Sequence, residues 1–274
     1  MPEAEKALEF EVEAGGLTLR GERLGEGAPI VLLHGLTATR RYVLMGSRHL
    51  PGHGWTTVAL DARGHGESDP APERSAYGYE ELTADLEAVL DELGLERAAL
   101  AGASMGAHTA VAFALARPDR VSGLVLITPA YDGSVRDDEL GSWDALADGL
   151  ERGGIEGFIE AWTPPADERW RDTATLVVRQ RLGRHRHLDA VADALRAVPR
   201  SRPFGSLDEL EALADVPVLV VGDRDDADPG HPLRIAEEYA RRLPHARLLV
   251  EEEGKSPLAW QGAQLSRAID EFLA

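Results

Sequence analysis

Seven residues, Ala101-Gly102-Ala103-Ser104-Met105-Gly106-Ala107, constrain the chain more than any other stretch. A short apolar run, Ala98 to Ala101, precedes them. A segment with helical periodicity, Met105 to Arg117, follows and stops at Arg117-Pro118. A Gly-x-Ser-x-Gly with a strand before it and a helix after it makes a tight, strained turn that lifts the serine hydroxyl above a sheet. A side chain at either glycine would collide with the neighbouring strand and helix. Ser104 then stands at a helix N-terminus, whose amides and dipole favour developing negative charge. The pentapeptide alone recurs in ordinary turns, so its setting carries the signal.

The rest of the chain supplies that setting. Phe10–Val12 and Leu17–Arg23 read as strands joined at Ala14-Gly15-Gly16. Pro29–Leu33 is a continuous apolar run, as in a strand buried on both faces of a mostly parallel sheet, and Thr56–Leu60 reads as another buried strand. Arg40–Leu50 reads as a helix stopped by Pro51-Gly52, and Tyr79–Leu93 as an amphipathic helix. Val121–Ile127 is a further strand. From Tyr131 to about Gly205 no buried β-run occurs, and helices are expected. Alternation then resumes: helix Leu207–Leu213, strand Val216–Val221, helix Pro232–Leu243, strand Ala246–Val250 and helix Leu258–Leu273. This order predicts an α/β fold, a doubly wound and mostly parallel sheet with a helical cap inserted after the sixth strand. The core is expected over 1–130 and 206–274, the cap over 131–205. In such sheets ligands bind at the C-terminal edge of the strands, where Ser104 and the loop at His34 both lie.

Composition narrows the function. The net charge of −19, from 29 basic and 48 acidic residues, argues against nucleic acid and against anionic membrane surfaces. No apolar run is long enough to span a bilayer. Residues 1–13 lack the basic-then-apolar pattern of a signal peptide, so a cytoplasmic location is expected. There are no cysteines and no helix-spaced ligand pair such as His-Glu-x-x-His, so neither a metal site nor a cofactor is expected. The partner implied is a small molecule; the sequence leaves the oligomeric state open.

Three segments together carry a family resemblance: His34-Gly35 after a buried strand, Asp61-Ala62-Arg63-Gly64-His65-Gly66-Glu67-Ser68 after the next, and Gly102-Ala103-Ser104-Met105-Gly106. With the order of strand, elbow, cap and terminal helices, the chain resembles the α/β-hydrolase superfamily over nearly its whole length. The resemblance implies a Ser104 nucleophile and an oxyanion hole made by the backbone N–H groups of Leu36 and Met105. It places the acid after the Val216–Val221 strand, where counting from Gly222 selects Asp225 and an Asp-Pro-x-x-Pro pattern selects Asp228. It gives His34 and His65 structural roles in their loops.

The family histidine should follow the last strand, yet Lys255 occupies that place. A lysine titrates near 10.4 unless burial lowers it, and Glu251-Glu252-Glu253 would favour its charged form. His231 is the alternative base: it lies on the loop of both candidate acids, at the same sheet edge as Ser104, and triads are defined by geometry rather than chain position. His108, on the helix after Ser104, reads as a core residue. His185 and His187, in the basic run of the cap, read as solvated or substrate-facing. Trp143, Trp162 and Trp170 are candidate walls for the substrate. The function expected is serine hydrolysis of a carboxylic ester, thioester or lactone. The alternative is a non-hydrolytic member of the fold: a lyase, a cyclase or a silent binding protein.

Overall fold

The computed structural model describes residues 6–135 and 137–274, leaving aside the side chains of 137–139. Residues 1–5 of the expected core and residue 136 of the expected cap lie outside the described residues.

Eight strands form one sheet: β1 (Leu8–Ala14), β2 (Leu17–Leu24), β3 (Ala28–Leu33), β4 (Trp55–Asp61), β5 (Ala98–Ala103), β6 (Val121–Ile127), β7 (Val218–Gly222) and β8 (Arg247–Val250). Their order is β1-β2-β4-β3-β5-β6-β7-β8; β2 is antiparallel to both its neighbours and every other pair is parallel. The continuous apolar runs are explained by burial on both sides. In β3, Val31 and Leu33 enter one core with α1 (Tyr79–Glu92), α2 (Met105–Ala116) and α6 (Leu233–Arg242). Ile30 and Leu32 enter the opposite core with α7 (Gly262–Leu273). Central β5 places Ala98 and Leu100 in the core shared with α2, and Ala99 and Ala101 in the core shared with α7.

Between β6 and β7 stand α3 (Asp137–Ala161), α4 (Glu168–Leu182) and α5 (Leu188–Ala197). They share their own apolar cluster, including Leu150, Phe158, Val178, Leu182 and Leu195. α3 is broken at Gly154 (φ 59°, ψ −143°), where the chain folds back on itself. Its two arms touch through backbone: a Cβ on Gly149 would lie 2.3 Å from the Gly157 carbonyl oxygen.

Two expected helices are not α-helices. Arg40–Leu50 holds only a 3-10 turn at Arg40–Tyr42, because Met45 (φ 49°) and Gly46 (φ 74°) take left-handed backbone. Leu207–Leu213 is 3-10 throughout, opened by a capping box from Ser206 and Glu209. Among the described residues, no helix is long and apolar enough to cross a membrane.

Candidate active site

The nucleophile elbow has the backbone its sequence demands. Ser104 sits at φ 49°, ψ −112°, off the helical and extended regions that non-glycine residues prefer. Its N–H donates to the Ile127 carbonyl at 2.9 Å, tying the elbow to β6. A Cβ on Gly102 would come within 2.1 Å of the Gly106 oxygen, and one on Gly106 within 2.1 Å of the Leu33 oxygen. Both glycines are therefore obligatory for strand and helix to meet at this angle.

The loop after β3 is set by His34. Its Nε2 accepts from the Ala62 N–H at 2.9 Å, so Nδ1 carries the proton and donates to the Gly35 carbonyl at 2.9 Å. The Ala38 N–H donates to the same oxygen at 3.0 Å. A trans peptide points its C=O and N–H in opposite directions, so the Leu36 N–H projects away from these partners. Neither the Leu36 nor the Met105 N–H finds an acceptor among the described residues. Both residues line a cavity of about 700 Å³ that also contains Ser104.

His231 Nε2 lies 2.9 Å from Ser104 Oγ, and His231 Nδ1 lies 2.8 Å from Asp228 Oδ2. The carboxylate accepts from Nδ1–H, which leaves Nε2 to accept the serine proton. Asp228-Pro229-Gly230-His231 makes this pairing possible: it is a tight turn in which the His231 N–H donates to the Asp228 carbonyl at 3.2 Å. Burial alone would push the His231 pKa down; the Asp228 charge and hydrogen bond outweigh it and hold His231 above its ordinary value. Burial would likewise raise Asp228, but His231 and the nearby Arg181 hold it below the usual carboxylate range. Asp223, buried and close to Asp228 and Glu251, is pushed up to about 8, mainly by loss of solvent.

The remaining expected residues separate. Asp225 is exposed and accepts from the Leu233 N–H at 2.7 Å, so it caps α6 instead of holding an imidazole. Lys255 is exposed on the loop after β8, is absent from the cavity wall, and donates its backbone N–H to the Glu252 carbonyl. Trp143 and Trp162 line the cavity. Trp170 does not: its indole is turned edge-on against Trp260, 6.2 Å between ring centres, and Trp260 takes the wall position. His108 is buried, accepts the Ala130 and Tyr131 N–H groups at Nε2, and donates from Nδ1 to the Tyr79 hydroxyl. Burial, and then the His231 charge, push it down to about 3.

Sequence reasoning missed two residues. His185, read as solvated or substrate-facing, instead clips the cap to the core: its Nδ1 accepts from the Gly66 N–H at 2.8 Å, and its Nε2 donates to the Thr37 carbonyl at 3.0 Å. Arg181, on α4, lines the cavity; one of four arginines in a basic run, it offered no periodic signal that it faces inward. For metals, His49, His53 and Asp270 each bring a ligand atom within 4.8 Å of the others, where none was expected. None of the three lines the cavity.

The family model described as alpha/beta hydrolase fold matches residues 28–188. A 2-hydroxy-6-oxononadienedioate/2-hydroxy-6-oxononatrienedioate hydrolase of Pseudomonas putida is 36% identical over 269 residues, covering 94% of this chain and 92% of that protein. Among solved structures, a thermophilic esterase from Thermogutta terrifontis superposes with a TM-score of 0.79 at 26% identity, covering 97% of this chain and 98% of that one. An enol-lactonase from Burkholderia xenovorans LB400 shares the fold, with a TM-score of 0.75 at 22% identity, covering 96% and 97%.

Proposed function

This chain belongs to the α/β-hydrolase fold family, and on that premise we propose that it is a serine hydrolase that opens a carboxylic ester, thioester or lactone through an acyl-enzyme on Ser104. The observation that carries this reading is the unbroken relay Ser104 Oγ, His231 Nε2, His231 Nδ1, Asp228 Oδ2, with steps of 2.9 and 2.8 Å. Ser104 Oγ attacks the carbonyl carbon as His231 takes its proton. The Leu36 and Met105 N–H groups receive the oxyanion; loss of one such donor typically costs about 100–1000-fold in rate. His231 then protonates the leaving alcohol or thiol, and water repeats the sequence to release the acid. Asp228 holds the imidazole in the needed tautomer and stabilises it when charged.

The rival, a non-hydrolytic protein on the same fold, draws its support from Lys255 standing at the family's histidine position. An imidazole within hydrogen-bond distance of Ser104 Oγ weighs against it. A fluorophosphonate probe is expected to label Ser104, and p-nitrophenyl ester turnover to fall at least about 1000-fold in Ser104→Ala. An intact protein that neither takes up the probe nor turns over ester would favour the rival.

A further inference from the structure

Among the described residues of the cavity wall, Arg181 is a desolvated cation that makes no hydrogen bond or ion pair; Arg234, also on the wall, is exposed. Arg181 faces the space that holds Ser104 and His231. Its Nε is sealed from solvent without a hydrogen-bond acceptor, and no hydrogen bond or ion pair engages its side chain among the described residues. Two other cap arginines are matched: Arg179 reaches Glu156 through two nitrogens at 2.9 and 2.7 Å, and Arg196 reaches Asp148 and Glu151. The carboxylates on the cavity wall are already engaged. Asp228 accepts from His231, and Asp132 accepts from the Ser134 hydroxyl at 2.8 Å. Burial of the guanidinium lowers its pKa, with only partial relief from the Asp228 charge. A desolvated cation with unfilled donors destabilises the empty protein, and a ligand that fills those donors reverses the deficit.

We propose that Arg181 binds a carboxylate carried by the substrate, so that the preferred substrates are half-acids: esters, thioesters or lactones with a second, free carboxylate across the cavity from the reacting carbonyl. A guanidinium offers a planar fork of donors that suits a carboxylate. The chain as a whole carries a net −19, which disfavours anions in general; a buried guanidinium favours one at this point of the cavity. This inference rests on the hydrolase reading for the word substrate, but not for the anion site itself.

The test compares two p-nitrophenyl esters of equal chain length, the neutral valerate and the glutarate half-acid, in wild type, Arg181→Met and Arg181→Lys. The readout is the ratio of kcat/KM for half-acid over neutral ester within each protein, so any general loss from the substitution cancels. The wild-type ratio is expected to exceed that of Arg181→Met by about 10–100-fold, chiefly through KM, with Arg181→Lys between them. Equal ratios in wild type and Arg181→Met would overturn the proposal. Calorimetric titration of glutarate into Ser104→Ala, with and without Arg181→Met, reads the anion site without turnover. Binding removed by the second substitution supports the proposal, and binding unchanged by it does not. Inorganic phosphate bound as tightly as glutarate would overturn the carboxylate assignment. If wild type cleaves neither ester, the hydrolase reading fails, and the titration alone decides the site.

Discussion

At the scale of single residues, the site depends on one imidazole whose two nitrogens are both committed, Nδ1 to Asp228 and Nε2 to Ser104. A base that must accept a proton works only when neutral. Burial opposes the charged form of His231, but Asp228 overcomes it and the pKa stands above its ordinary value. The pH profile of kcat/KM should therefore fall on the acid side with an inflection above 6.5, the unperturbed histidine value. Asp228→Asn should move that inflection downward and lower kcat by about 1000-fold or more; an inflection unmoved by that substitution would detach Asp228 from the base. Ser104 was legible because two close backbone approaches require Gly102 and Gly106. The carboxylate that meets His231 was not, because Asp225 and Asp228 share one loop. The deciding signal was present but local: Asp228-Pro229-Gly230-His231 is a Pro-Gly turn, which brings its first and fourth residues together. Asp225, three residues before that turn begins, is left to cap α6.

At the scale of elements, the cap is fastened to the loop that presents the Leu36 N–H. The His185 ring bridges the Gly66 N–H and the Thr37 carbonyl, and the Arg186 N–H donates to the Gly66 carbonyl at 2.9 Å. Thr37 has φ 68°, so the loop is held in left-handed backbone partly by this clip. Burial pushes His185 down to about 4 and puts His34 and His65 below their ordinary value as well. An unfolded chain takes up protons on these rings near pH 6.5, whereas the folded one does not. Their stabilisation is complete above about pH 6.5 and is lost as pH falls toward about 4. His231 runs the other way, its contribution fading as pH rises through its elevated pKa. Urea midpoints should drop between pH 7.5 and pH 5. His185→Gln should remove on the order of 1–2 kcal/mol of that drop, and an identical drop in both proteins would exclude the clip as a source. The histidine's role was illegible because its partners, Thr37 and Gly66, are remote in sequence. The central strands were legible, since burial on both faces leaves largely apolar runs there. The segment at Arg40–Leu50 was not, because left-handed backbone at Met45 breaks the helix its composition allows.

At the scale of the whole molecule, a parallel sheet gathers three loops at one edge: after β3 for Leu36, after β5 for Ser104 and after β7 for Asp228 and His231. The loop after β8, where the family places its histidine, reaches the same end of the sheet. Here it is used for packing: Glu251 accepts the Arg224 N–H at 2.7 Å, and Lys255 is exposed. In the proposed mechanism the base sits one loop away from the family's position, and both loops end at the same edge. Chain order, serine then acid then histidine, is kept. The measurement that bears most directly on this account is kcat/KM for p-nitrophenyl ester hydrolysis in His231→Ala beside Lys255→Ala. Loss of His231 should cost about 1000-fold or more, and loss of Lys255 no more than about threefold, as for an exposed side chain away from the chemistry. A loss below about tenfold at His231, or a comparable loss at Lys255, would contradict it.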